Sequence, residues 1–208
     1  MAPRVLLFAG TFDPITVAHI LMLRQCIETE FFDEIWVLPS GRRTDKSFKA
    51  SDESRLEQCR MVVGELGVQH PKIKVCPYEV NLGHYIDSYF TMKYFKGKYP
   101  DYEFYFFIGS DILPQLLSWP FGKEFVEITR FLIADREGYP IRKEDMDNLK
   151  QYELLSELLQ RKSRIMKTSN ASSTLVRQQL AEHVKCDEVG TLPPYVMQYI
   201  LRNALYGT

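Results

Sequence analysis

Val5-Leu6-Leu7-Phe8-Ala9-Gly10-Thr11-Phe12-Asp13-Pro14-Ile15-Thr16-Val17-Ala18-His19 decides how this chain folds. The apolar run Val5–Ala9 reads as a buried strand, Gly10 as a turn, and the residues beyond it as a helix start. Ile20, Leu23, Ile27 and Phe31 then recur on one helical face. A strand, a glycine turn and a helix start so close together form a phosphate-binding arrangement. Glycine lets an anion approach the backbone, and the helix N-terminus offers unpaired N–H groups. His19 falls in the first helical turn, where an imidazole reaches the same anion.

The chain has 208 residues and a net charge of −1. With roughly 100–200 residues per domain, that predicts one domain over residues 1–208, with a helical C-terminal part from about residue 170. The near-neutral charge supplies no field that would draw it to nucleic acid or to a membrane surface. No apolar run is long enough to span a bilayer. Met1-Ala2-Pro3-Arg4 leads straight into the first strand, which leaves no room for a signal peptide. Cys26, Cys59, Cys76 and Cys186 stand singly, as reduced packing residues do. The expectation is a cytoplasmic protein, with a nuclear location and homo-oligomerisation left open.

Strand and helix signals alternate along the rest of the chain. Ile35-Trp36-Val37-Leu38, Ile73 to Val80, Tyr105-Phe106-Phe107-Ile108 and Phe131-Leu132-Ile133-Ala134 read as strands, and Arg164-Ile165-Met166-Lys167 as a sixth. Ser51 caps a helix with Leu56, Cys59 and Val63 on one side. Further helices are expected at residues 86–95, 143–160, 173–183 and 194–205, the last opened by Pro193-Pro194. Such alternation predicts an α/β, Rossmann-like, doubly wound and mostly parallel sheet, with helices on both faces and a C-terminal helical segment. Residues 41–54 form a charged loop directly after a strand.

In open α/β sheets ligands bind beyond the carboxyl ends of strands. Residues 10–19, 41–46, 109–111, 135–136 and 169–177 follow the expected strands, and each is polar, cationic or glycine-bearing. Ser169-Asn170-Ala171-Ser172-Ser173-Thr174-Leu175-Val176-Arg177 puts hydroxyls at a helix N-terminus with an arginine one turn in. Free N–H groups and a charged fork there suit phosphate oxygens. Taken singly, this stretch also reads as an ordinary Ser/Thr cap with a solvated arginine. Arg42 and Arg43 read as solvated loop charges, and His70 and His183 as surface residues.

Together the two motifs make the chain resemble the nucleotidylyltransferase superfamily. Its first motif runs Gly-Ser/Thr-Phe-Asp/Asn-Pro-Ile/Val-His/Thr-x-x-His, present here at residues 10–19. Its second runs Ser-Ser-Thr-x-Ile/Val-Arg, present at residues 172–177. Phe107-Ile108-Gly109-Ser110-Asp111, Trp119 and the stretch from Phe131 to Pro140 extend the likeness, specifically to nicotinate/nicotinamide mononucleotide adenylyltransferases. Thr16 stands in place of the more usual first histidine, Ala18 in place of glycine, and Ala171 in place of isoleucine. Gly83-His84-Tyr85, followed by Ile86-Asp87-Ser88, replaces the Ser-Tyr-Thr element that grips the nicotinate group. The choice between acid and amide therefore stays open.

The resemblance implies transfer of an adenylyl group from ATP to nicotinate or nicotinamide mononucleotide, giving an NAD-type dinucleotide and pyrophosphate. It implies His19 as the catalytic residue. Gly10, Thr11, Phe12, Thr16, His19, Lys46, Gly109, Asp111, Ser173, Thr174 and Arg177 would bind ATP. Asp111 takes the adenosine ribose, although it also suits the N-cap of a helix at residues 111–118. Tyr85, Ser88, Trp119 and Arg136 would bind the mononucleotide, and His84 would border that pocket. Arg136 is equally placed to pair with Asp135 or Glu137. Mg²⁺ would be held mainly by substrate phosphates rather than by protein ligands. Two other readings share the motifs: a pantetheine-phosphate adenylyltransferase, and a non-catalytic nucleotide sensor.

Overall fold

A computed structural model describes residues 2–41, 49–182 and 190–208. Six strands form one parallel sheet: β1 Arg4–Gly10, β2 Glu34–Pro39, β3 Ile73–Val75, β4 Glu103–Gly109, β5 Arg130–Ala134 and β6 Gln151–Leu154. Their order is β3-β2-β1-β4-β5-β6, that of Rossmann-type sheets, reversing between β1 and β4. Register runs Leu6 opposite Tyr105, Phe107 opposite Leu132, and Phe131 opposite Tyr152. The helices are α1 Val17–Glu28, α2 Asp52–Gly67, α3 Tyr78–Leu82, α4 Ser88–Lys98 and α5 Gly122–Ile128. They continue with α6 Lys143–Met146, α7 Leu155–Gln160, α8 Ser173–Ala181 and α9 Pro194–Arg202. None of the described helices is long and apolar enough to cross a membrane.

Contacts divide the chain into two compact units. One comprises Met1–Ala9, Gln25–Trp36 and Ile86–Thr168; the other comprises Gly10–Arg24, Val37–Tyr85 and Ser169–Thr208. In the first, Val5, Leu6 and Leu7 of β1 and Phe131, Leu132 and Ile133 of β5 are fully buried. Such continuous apolar runs belong to strands covered on both faces. Trp36 lies edge-on to Phe95 and Phe104, at 5.3 and 5.6 Å between ring centroids. In the second unit, Leu56, Cys59, Val62 and Leu66 form the buried stripe of α2, so Val62 replaces the expected Val63. Val176 and Leu180 of α8, and Val196 and Ile200 of α9, complete that core. Cys26 and Cys59 are buried and Cys76 is half-buried, none of the three in a disulfide, whereas Cys186 lies outside the described residues.

Four sequence expectations require correction. Residues 73–80 are not one strand: β3 stops at Val75, and Pro77 precedes α3. Proline has no N–H for a ladder but suits a helix start. Residues 143–160 are not one helix, because β6 lies between α6 and α7. β6 is an edge strand whose Gln151 and Tyr152 are exposed, so it carries no apolar run to read. Residues 164–167 are not the sixth strand. The side-chain amide of Gln25 satisfies Lys167 as a neighbouring strand would: Oε1 accepts from the Lys167 N–H at 2.6 Å, and Nε2 donates to its carbonyl at 2.9 Å. The fifth polar stretch, residues 169–177, therefore follows an irregular segment rather than a strand. Finally, Ile112 rather than Asp111 caps the short 3-10 helix Leu113–Ser118.

Candidate active site

In the second unit, the loop from Thr11 to Thr16 is held from several sides by side chains. The Asp13–Pro14 peptide is cis. The Arg177 guanidinium donates to the Asp13 carbonyl at 2.6 Å and to the Thr174 hydroxyl at 3.1 Å. The Ser173 hydroxyl donates to the Pro14 carbonyl at 2.8 Å. Motifs some 160 positions apart in sequence therefore meet on one loop, as their shared chemistry requires. Ser172 caps α8 by accepting from the Leu175 N–H at 3.2 Å. Helix geometry leaves the first-turn N–H groups of Ser173 and Thr174 without intrahelical partners.

His19 sits half-buried in the first turn of α1. Its Nδ1 accepts from the Thr16 N–H at 3.0 Å and lies 2.9 Å from the Thr16 hydroxyl. The Phe12 ring meets the imidazole edge-on at 5.2 Å. Thr16 is fully buried, so it supports His19 rather than reaching a ligand with its own hydroxyl. The Phe12 side chain is core, and only its backbone can face a phosphate. Gly10 has a packing role that its sequence context did not show, since a Cβ there would lie 2.8 Å from the Phe12 ring.

Asp13, to which the sequence analysis assigns no role, has a buried carboxylate that organises the loop. It accepts from the Lys49 N–H at 2.9 Å and the Ala50 N–H at 3.1 Å. The buried hydroxyl of Tyr206, close to the chain end, also hydrogen-bonds with it and accepts from Gln58 at 3.3 Å. Burial pushes that phenol well above its ordinary range. The motif itself held the signal for Asp13; nothing local marked Tyr206 or Gln58. Lys46, Arg42, Arg43 and His183 lie outside the described residues.

A second cluster belongs to the first unit. Asp111 pairs with Arg136 at 2.7 Å, so the arginine's partner is neither Asp135 nor Glu137. A Cβ at Gly109 would collide with the Asp111 carboxylate. Ser110, missed in the sequence, is buried and links two strand ends: it donates to the Tyr139 carbonyl at 2.6 Å and accepts from the Arg136 N–H at 2.9 Å. A small hydroxyl after a strand-end glycine was the available cue. Trp119 stacks on Phe125 with centroids 6.3 Å apart and planes at 17°. It is half-buried, as is Ser88, the first residue of α4. In the second unit Tyr85 is half-buried and follows α3, and His84 is exposed with Nδ1 2.9 Å from the Leu82 carbonyl.

No described group of three or more His, Cys, Asp or Glu side chains is arranged to hold a metal ion. Both oxygens of Asp13 accept backbone N–H groups, and Asp111 faces a guanidinium. The clusters are rich in donors and suited to anions.

Sheet order, strand-end chemistry and family likeness together define a nucleotidyltransferase. The model of the cytidylyltransferase-like family matches residues 7–179. The chain belongs to that family and, within it, to the nicotinate-nucleotide adenylyltransferases. A probable nicotinate-nucleotide adenylyltransferase of Nitratiruptor sp. is 30% identical over 141 residues, covering 67% of this chain and 77% of that protein. Another, from Clostridium botulinum, is 29% identical over 205 residues, covering 96% and 97%. Plasmodium falciparum nicotinic acid mononucleotide adenylyltransferase complexed with NaAD has the same fold, with a TM-score of 0.85. It is 25% identical, over 98% of this chain and 97% of that one.

Proposed function

We propose that the protein transfers the adenylyl group of ATP to nicotinate mononucleotide, releasing pyrophosphate and forming the NAD-type dinucleotide. The observation that carries this reading is the meeting of Arg177, Ser173 and His19 on the loop from Asp13 to Thr16. The similarity to nicotinate-nucleotide adenylyltransferases supports the acid over the amide as acceptor.

An oxygen of the mononucleotide 5′-phosphate attacks the α-phosphorus, and the bond to the bridging oxygen of the β-phosphate breaks. The mononucleotide 5′-phosphate has a second pKa of about 6, so it is largely dianionic at neutral pH and needs no general base. The barrier is repulsion between anions. Two unit charges 4 Å apart repel by about 1 kcal/mol in water, but by about 4 kcal/mol at an effective dielectric near 20. Donors fixed in advance offset this as charge gathers on the α-phosphate oxygens. His19 donates from Nε2 to that phosphate. Arg177, the first-turn N–H groups of α8 and Lys46 hold the outer phosphates. Asp111 accepts from the adenosine ribose hydroxyls, with Gly109 permitting close approach. Trp119, Ser88, Tyr85 and Arg136 hold the mononucleotide. Mg²⁺ enters as part of the substrate, on the triphosphate, keeping most of its waters. The reaction takes place in the cytoplasm.

Purified protein with ATP and Mg²⁺ is offered nicotinate mononucleotide, nicotinamide mononucleotide or phosphopantetheine, and pyrophosphate release is followed. Turnover is expected with nicotinate mononucleotide, at lower efficiency with its amide. Turnover on phosphopantetheine alone would favour the pantetheine reading. ATP binding with no turnover on any acceptor would leave a nucleotide sensor.

A further inference from the structure

The loop after β5 folds back as a tight turn, in which the Tyr139 N–H donates to the Arg136 carbonyl at 3.0 Å. Gly138, at its third position, takes a φ of 82°, the left-handed conformation that such a turn assigns to glycine. Residues 135–140 are all exposed, yet the turn is fixed from beneath by one buried side chain. The hydroxyl of buried Ser110 donates to the Tyr139 carbonyl at 2.6 Å and accepts from the Arg136 N–H at 2.9 Å. Every backbone N–H and carbonyl of Arg136 and Tyr139 is thereby used. The Ser110 N–H itself donates to the Ala134 carbonyl at 2.9 Å. One residue just past β4 therefore binds both the end of β5 and the turn that follows it.

Stability alone does not call for this clamp. Exposed backbone groups exchange protein partners for water at little cost, whereas burying a hydroxyl cancels part of what its bonds return. What the bonds secure is position. The turn carries Arg136, whose guanidinium meets the Asp111 carboxylate at 2.7 Å, and Asp111 is the residue after Ser110. Resting on the reading that Asp111 takes the ATP ribose and Arg136 the mononucleotide, we infer that Ser110 is a positioning residue that sets this arginine for the mononucleotide 5′-phosphate. On a loose turn, binding would have to order the backbone as well as the long side chain. On a clamped turn the backbone is already in place.

The test compares Ser110→Ala, Arg136→Ala and the double variant with wild type, by melting temperature and by KM and kcat for each substrate. Ser110→Ala should fold and melt within about 4 °C of wild type, because the turn it releases is local and exposed. KM for the mononucleotide should rise about 3–10-fold, the scale of ordering one long side chain on binding. KM for ATP should change less than about twofold, since Asp111 and the backbone of residue 110 are untouched. In the double variant the mononucleotide KM should match that of Arg136→Ala, because the serine acts only through the arginine. A wild-type mononucleotide KM in Ser110→Ala overturns the inference. So do equal rises for both substrates, or effects that multiply in the double variant. Should Ser110→Ala fail to fold, Ser110→Cys, of similar size with a weaker hydrogen bond, is judged by the same outcomes. An unchanged mononucleotide KM in Arg136→Ala refutes the arginine's assignment, and the role of Ser110 with it. If wild type turns over no acceptor, the enzyme reading fails instead, and mononucleotide affinity by calorimetry decides by the same comparison.

Discussion

The N–H of Thr16 donates to Nδ1 of His19 at 3.0 Å, and this one bond sets the tautomer of the imidazole. A backbone N–H only donates, so Nδ1 must accept, and in the neutral ring the proton resides on Nε2. His19 therefore presents a donor on its other edge, which an oxyanion needs. Because the donor is a backbone N–H, the bond survives any substitution of Thr16 that keeps that N–H, proline being the exception. His19→Ala should lower kcat by about 10²–10⁴ with a smaller change in KM, because the contact strengthens as charge develops. Thr16→Val keeps the N–H and loses only the hydroxyl, so its kcat should fall less than about tenfold, the scale of one neutral hydrogen bond. Steady-state pyrophosphate release measures both. Unchanged kcat in His19→Ala would remove the imidazole from the chemistry.

Arg136 and Asp111 form a pair whose arginine side chain is 57% exposed. Exposed pairs contribute about 0–1 kcal/mol, so Arg136→Ala should hardly alter the midpoint of urea unfolding. If the arginine instead serves the mononucleotide phosphate, KM for that substrate should rise about tenfold or more, in keeping with a charged hydrogen bond. ATP, whose ribose is assigned to Asp111, should be affected less. A loss of stability without any change in mononucleotide KM would make the pair structural.

The parts of the fold legible in the sequence were those where burial imposes a pattern. Val5–Phe8 and Phe131–Ile133 had to be apolar because helices cover both faces, whereas Gln151–Leu154 at the sheet edge carried no such constraint. Residues 164–167 read as a strand, but it is Lys167 bonding to the Gln25 side chain that satisfies the backbone there, a tertiary fact with no local signature. In the candidate site, residues 16, 19, 173 and 177 were legible from the two motifs, and folding brings them to one loop. Their division of labour was not. Thr16 and Ser173 were expected to touch ligand, and both use their hydroxyls on the protein itself. Ser110 and Tyr206 act through backbone carbonyls or through other side chains brought close only by folding.

Trp119 lies nearly parallel to Phe125, and that stack holds the half-buried ring against the core. The stack also makes the residue a partner in packing as well as a surface for a pyridine ring. Trp119→Ala should therefore reduce stability modestly and raise KM for the mononucleotide with little change in KM for ATP. Trp119→Phe, which keeps an aromatic face, should restore most of the affinity. Destabilisation by alanine with normal KM for the mononucleotide in the folded fraction would assign the ring to the core alone.

Cys26 and Cys59 tie stability to alkaline pH. Burial raises both thiols far above their ordinary value of 9.0, so the folded protein keeps them neutral where the unfolded chain would ionise them. Below about pH 9 neither state loses the proton and the contribution to stability is intact. Above that value the unfolded state binds fewer protons than the folded one, and stability falls by up to about 1.4 kcal/mol per pH unit for each thiol. Urea unfolding under reducing conditions, between pH 8 and pH 10.5, should show this decline. A Cys26→Ala, Cys59→Ala double variant starts less stable because two buried groups are removed, but its curve should be flatter than wild type above pH 9. Tyrosines titrate in both proteins and cancel in the comparison, so parallel curves for the two would mean that the thiols do not carry the effect.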